Sequence, residues 1–450
     1  MLKGLFDDKP FYRKLVAIMA PIALQNLMLA MVAAADTVML GRVDQNAMAA
    51  VSLATQIQFV QNMILGVVVS VIGILGAQYW GKGDKVVLGK LFGMGIRHCV
   101  VISVAFFIGC VFFPRYLMRC FANDETLIAI GVKYLKIAGW SYLLTGVSQC
   151  YMAIMKVSDH VSRTAWISSV TVVINIILNS VFIFGLFGVP AYGAEGAAIA
   201  TLIARVIEVL WCVISSYQNS FIRLELHNLF SFERLLTKDY WRCALPLLGA
   251  YLFWGVGFTS YTAIIGQLGP DAAASNAIAA GVRDLMCCLC NGLCTAGGIL
   301  IGNELGAGRL EQGRKYGDRL AILSYIIGFF CTFVILAVIP VVKHYMKLTD
   351  KAQGYLVGMF VILSIYMIGR CVNTIIINGI FSAGGDTMFD FYSLAVCMWG
   401  LAIPCALISA FCLHWHVLIV YSCTCLDEVG KIPWVMHHYR KYKWVKNLTR

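Results

Sequence analysis

The sequence predicts an all-α polytopic membrane protein with twelve transmembrane helices in two pseudo-symmetric six-helix lobes. Three observations predict it: an extreme apolar composition, the spacing of the apolar stretches, and an internal repeat. Of 450 residues, 60% are hydrophobic and 13% charged, and the mean hydropathy is +0.79. Soluble domains run nearer half apolar and a quarter charged, so too few polar side chains exist to coat a water-soluble enzyme. At ~20 apolar residues per span, the composition supplies roughly twelve helices with short connections.

Apolar stretches bounded by charged or Gly/Pro-rich turns lie near 15–40, 53–79, 91–113, 131–155, 164–187 and 193–217. They resume near 243–267, 277–303, 317–342, 354–381, 389–412 and 415–435. The start, MLKGLFDDKPFYRKL, lacks the apolar core of a signal peptide, so the first span is expected to act as an uncleaved signal. The longest polar interruption, 218–242, sits at the midpoint. It divides an N-lobe, 1–217, from a C-lobe with a basic tail, 243–450, and reads as a cytoplasmic linker.

Lys and Arg outnumber Asp and Glu by 35 to 23, a net charge of +12. In a soluble chain this excess would hint at nucleic acid; here the positives fall in loops, where they orient the chain. They crowd the N-terminus, the turns at 82–90, 156–163 and 309–319, the linker, and the tail after 427. Opposite loops hold only Arg42, Arg115, Arg119, Lys133, Lys343, Lys347 and Lys351. Both termini are therefore expected in the cytoplasm, with the chain in the cell membrane. Most of the 17 cysteines lie inside apolar runs as small hydrophobes, and no disulfides are expected.

The halves repeat. A shift of 225 residues carries Pro21 onto Pro246, Gly41 onto Gly266, Gly73-Ile74-Leu75 onto Gly298-Ile299-Leu300, and Gly81 and Gly83 onto Gly306 and Gly308. Asp159 pairs with Asp386 at a shift of 227. Each half has an even number of spans and begins on the same side, so the repeats are parallel, a transporter layout with a cavity between lobes.

Charge inside hydrocarbon is costly and usually functional. Asp36, in LAMVAAADTVMLGR, has no basic residue one turn away. It is either an interfacial residue near the outer end of its helix or a carboxylate that exchanges a proton or Na⁺. Burial penalises the charged form of an isolated carboxylate, so such a group can switch charge. Asn175 and Asn179, four apart, share one helix face, and Thr201 adds a hydroxyl. They serve as interhelical hydrogen-bonding groups or, if they face Asp36, as oxygen ligands that would suit Na⁺. Pro21 removes a helix hydrogen bond and is a hinge or a static kink. Arg205 and Glu208, three apart, are expected to neutralise one another. Gln25, Asn26, Gln61, Tyr251, Trp254, Arg283, Asp284, Arg370 and Asn373 are candidates for a substrate cavity, with interhelical pairing the alternative for the charged ones. The CxxC spacing in Cys287-Cys288-Leu289-Cys290 lacks an acidic or His partner and reads as packing. HExxH, P-loop and GxSxG signatures are missing, so neither ATP hydrolysis nor another enzymatic activity is expected.

Taken together, PIALQNLMLAMVAAADTVMLGR, AQYWGKGD, NIILNSVFIFGLFGVPAYGAEGAAIAT, GNELGAGR and GIFSAGGD resemble recurrent segments of the MATE (multidrug and toxic compound extrusion) family of the MOP superfamily. The resemblance covers essentially the whole chain. It implies export of organic, often cationic, compounds by alternating access and antiport with Na⁺ or H⁺. By the same resemblance Asp36 matches the family's first-helix acid, Pro21 its bending proline, and Asn175 and Thr201 cation-site positions. Asn179 departs from it, since many members carry Asp there. Acids that some members place in the seventh and tenth helices are missing, with Arg370 or Cys371 near the latter, so coupling is expected to rest on Asp36. No cofactor beyond the coupling ion is implied; the partners are an organic small molecule and the bilayer, with no nucleic acid, and a monomer is expected. A lipid-linked sugar flippase of the same superfamily is the alternative, for which Arg283 and Arg370 would meet phosphates. A membrane-embedded enzyme would need a clustered catalytic group that the sequence lacks.

Overall fold

A computed structural model describes residues 8–218, 222–345 and 348–449. Lys3, Lys347, Arg450, linker positions 219–221 and the side chain of Lys343 lie outside the described set. Among the described residues the chain is helical, with no strand. The first half holds α1 (Lys9–Gly41), α2 (Gln45–Lys82), α3 (Lys85–Phe112), α4 (Glu125–Val157), α5 (Val161–Phe184) and α6 (Ala194–Ser216). The second holds α7 (Arg234–Gln267), α8 (Pro270–Gly306), α9 (Leu310–Tyr345), α10 (Asp350–Phe381) and α11 (Met388–Cys412). These eleven are long and apolar enough to cross a membrane. The twelfth apolar stretch is divided at Cys425 into α12 (Val417–Thr424) and α13 (Leu426–Tyr439). Asp427, Glu428 and Lys431 make α13 the least apolar of the series.

Helix ends follow local chemistry. Asp44 caps α2 by accepting from the Asn46 and Ala47 N–H groups, both at 3.1 Å, and Asp124 caps α4 through Thr126 at 2.7 Å. At the α2–α3 turn Gly83 adopts φ +82° and Asp84 caps α3. Gly308, its repeat equivalent, adopts φ +77° at the α8–α9 turn. The repeat is thus conformational as well as sequential, because both turns need a residue without Cβ in the left-handed region.

By contacts the chain forms two compact units: Leu24–Lys238, and Asp239–Arg450 together with Met1–Ala23. The N-terminal unit packs around Leu40, Ala54, Cys110, Leu135, Tyr142 and Ile183. Small residues bring its helices close, as membrane helices require: a Cβ on Gly146 would lie 3.0 Å from the Cys99 carbonyl oxygen. The linker is no free tether, since its Leu226–Phe230 turn docks on α3. Arg97 donates to the Leu229 carbonyl at 3.3 Å, Lys90 pairs with Glu233 at 2.9 Å, and Gly93 leaves room for the Asn228 backbone.

In the C-terminal unit the first turns of α1 are held by an Asp8–Arg319 ion pair at 2.5 Å and by Phe11 against Tyr316, centroids 4.4 Å apart. Farther along α1, a Cβ on Gly292 of α8 would lie 3.0 Å from the Ala23 Cβ and 3.2 Å from the Met19 carbonyl oxygen. Gly292→Val is expected to push α1 off α8 and cost about 1–3 kcal/mol, read as a lower melting temperature of the purified protein. The C-terminal segment beyond α13 docks on the same unit: Trp444 is fully buried, against Gly317 and Gly384.

Candidate functional site

The N-terminal unit holds an open cavity of about 380 Å³ walled by α1, α2, α4, α5 and α6. Asp36 reaches it from α1, Asn175 from α5 and Thr201 from α6, beside Thr55, Asn62 and Tyr134. Gly196, in the first turn of α6, would bring a Cβ within 2.4 Å of the Phe182 carbonyl oxygen. Its missing side chain draws α6 onto α5 and sets Thr201 beside Asn175.

The four polar residues join in one row. The Asn179 amide donates to Asp36 Oδ1 at 2.5 Å and to Asn175 Oδ1 at 3.1 Å. Asn175 donates to Thr201 Oγ1 at 3.4 Å, and Thr201 to the Ala197 carbonyl at 2.9 Å. Asn179 is fully buried, and its Oδ1 has no partner among the described residues. Asn179 is thus the donor at the Asp36 end, and from it donation runs away from the carboxylate through Asn175 and Thr201 to the backbone, an order that suits an ionised Asp36. Arg205 and Glu208 also line the cavity, joined at 2.8 Å. With that pair neutralised internally, Asp36 supplies the uncompensated charge of the wall. Among the described residues no group of three or more His, Cys, Asp or Glu could hold a metal ion; the row offers neutral oxygens and one carboxylate instead.

The remaining candidates scatter. Pro21 lies inside α1, leaving the Ala17 carbonyl without its helical donor, two residues before the boundary at which α1 passes from one compact unit to the other. Gln25 is buried and donates to Met152 Sδ at 3.5 Å; Asn26 is partly buried. Gln61, expected in a cavity, is fully buried and donates to the Tyr142 carbonyl at 2.8 Å, tying α2 to α4. Trp254 stacks on Phe258, centroids 5.4 Å apart, and Tyr251 is partly buried on the same helix.

Arg283 lines a small cavity of the C-terminal unit with Tyr261 and Tyr366. It pairs with Asp284 at 2.9 Å and stands over the Phe258 ring at 4.4 Å, while Asp284 is largely exposed. Arg370 and Asn373 both bind Glu428, at 2.7 and 2.8 Å. Sequence reasoning missed this acid and its neighbours on α13. Lys431 was expected in a solvated tail, yet it is 3% exposed and lies 3.5 Å from Glu428. The i, i+3 spacing of Glu428 and Lys431 at the end of an apolar run was the available signal.

A family model described as MatE matches the chain twice, over residues 21–181 and 246–408. The matches begin on Pro21 and Pro246, the pair that the repeat superimposes. The chain is 22% identical over 444 residues to an uncharacterized transporter, YisQ, of Bacillus subtilis (strain 168), covering 98% of this chain and 96% of that one. It is 25% identical over 416 residues to a probable multidrug resistance protein, NorM, of Pasteurella multocida (strain Pm70), covering 87% and 85%. Among solved structures, a mutant of the Vibrio cholerae MATE transporter VcmN matches with a TM-score of 0.87 at 16% identity, over 98% of each chain.

Proposed function

Because the chain belongs to the MatE family, a family of multi-pass membrane transporters, we propose that it exports organic cations by antiport, with Asp36 exchanging the coupling ion. The observation that carries this reading is the lone uncompensated carboxylate on the wall of the 380 Å³ cavity. A cationic guest is drawn to it, and a proton or Na⁺ bound there removes the attraction. Guest and ion thus compete for one charge, which is the requirement for antiport. In this reading both termini face the cytoplasm and the protein works as a monomer.

The polar row supplies the readout. Once Asp36 is protonated it becomes a donor, and the Asn179 amide turns to offer its unpartnered Oδ1. Asn175 then donates to Asn179 and accepts from Thr201, so a charge change on α1 reverses the donation order across α5 to α6. Na⁺ would draw on the same oxygens after the same turn, but the row as arranged suits a proton better. The flippase reading needs free basic groups for phosphates, and the commitment of Arg283 to Asp284 and of Arg370 to Glu428 argues against it.

Efflux of ethidium from proteoliposomes, driven separately by a proton and a Na⁺ gradient, tests the proposal. Transport under the proton gradient is expected; efflux indifferent to both gradients would sink it. Pro21→Ala restores the hydrogen bond to the Ala17 carbonyl and stiffens α1. It is expected to slow efflux several-fold at unchanged expression, and unchanged efflux would leave Pro21 a static kink.

A further inference from the structure

The C-terminal unit holds a second concentration of buried charge. Asp427 and Glu428, in the first turn of α13, are 2% and 3% exposed, and Lys431 one turn on is 3% exposed. Glu428 is fully engaged. Arg370 reaches its Oε1 at 2.7 Å, Asn373 donates to its Oε2 at 2.8 Å and to its backbone carbonyl at 2.7 Å, and Lys431 lies 3.5 Å from Oε2. Asp390 of α11 lies close enough to the cluster to feel the charges of Lys431, Glu428 and Arg370. Asp427 accepts a 2.8 Å bond from the Glu428 N–H, and no cation is bonded to it among the described residues.

The charges do not balance. With every group ionised, Asp390, Asp427 and Glu428 face two cations, Arg370 and Lys431. Arg283 adds nothing, since Asp284 answers it. The other titratable neighbours, Tyr261 of α7, Tyr366 of α10, Cys397 of α11 and Cys425 at the helix break, carry no charge in their protonated forms. One carboxyl is in excess, in an interior where an unpaired charge is not sustained.

We propose that Asp427 is an exchangeable proton site of the C-terminal unit, additional to Asp36. Glu428 takes both cations and Asp390 is only partly buried, so the excess falls on Asp427. Two polar atoms point to the same ligand. The Asn373 carbonyl oxygen is buried beside the cluster without a donor, and the Tyr261 hydroxyl is a direct neighbour of Asp427. Tyr261 also lines a cavity of about 40 Å³ with Thr424, Cys425 and Arg283, room for a small number of waters. A proton reaches Asp427 from that water through the Tyr261 hydroxyl: the O–H proton passes to the carboxylate as the phenol oxygen takes another from water.

The test needs neither substrate nor gradient, so its failure is separable from failure of the antiport reading. Infrared difference spectra of the purified full-length protein, recorded between neutral pH and a mildly acid pH at which exposed carboxylates stay ionised, report the C=O stretch of each buried carboxyl that titrates. In Asp36→Asn one such band should remain. Adding Asp427→Asn should remove it, adding Asp427→Glu should move its frequency, and adding Asp390→Asn should leave it. The proposal is overturned if no band survives Asp36→Asn, if the band ignores both changes at Asp427, or if Asp390→Asn abolishes it. Melting temperature confirms folding, and Asp427→Glu retains the carboxyl should the amide prove unstable.

Discussion

Asp36→Asn is expected to bring ion-driven efflux down to the passive leak while leaving a folded protein that still binds ethidium. The amide keeps the shape of the carboxylate and can still accept from Asn179, whose amide now lies 2.5 Å from Asp36 Oδ1. What it loses is the ability to change charge. The row from Asn179 to Thr201 then has one donation order in every state, and nothing couples the ion to the cavity. Efflux under an imposed proton gradient and fluorescence binding of ethidium, measured on the same preparation, separate the two effects. Gradient-dependent pumping at the wild-type rate would make Asp36 an interfacial residue. Asn179→Asp adds a second carboxylate to the row and should shift the driving ion toward Na⁺.

Arg370→Met is expected to be the most damaging single change to stability. It leaves Glu428, 3% exposed, with Lys431 at 3.5 Å as its one remaining cation beside the neutral Asn373 amide. Removing one partner of a buried pair costs about 3–5 kcal/mol, because the orphaned charge stays behind. Thermal melting in detergent should show a large drop and expression should fall. Replacing the pair with apolar side chains of similar volume is often neutral or better, so adding Glu428→Met should recover most of the loss. A double variant no more stable than Arg370→Met would mean that the pair does not act as a unit.

The helices were legible because hydropathy over twenty residues is a local property: each apolar stretch lies in one helix, apart from 415–435. There a buried ion cluster interrupts the run, and positive charge in sequence looks the same whether it meets water or a carboxylate. Lys431 therefore read as tail. Half of the N-terminal site was legible for the same local reason, as Asn175 and Asn179 are one turn apart. Their link to Asp36 spans 143 residues and depends on how α1 meets α5, which no spacing encodes. Gln61 illustrates the converse. A lone amide in an apolar helix reads alike whether it lines a cavity or ties down the Tyr142 carbonyl.

The division of α1 at Ala23 has a genetic consequence. Residues up to Ala23 belong to the unit built from the second half of the chain, and the first turn of α7, Arg234 to Lys238, belongs to the unit built from the first. Each repeat thus lends the start of its leading helix to the other. A gene split within the linker would encode two fragments, each missing a strip of its own compact unit. Neither should accumulate alone; co-expression should restore both, with the linker dispensable as a covalent bond.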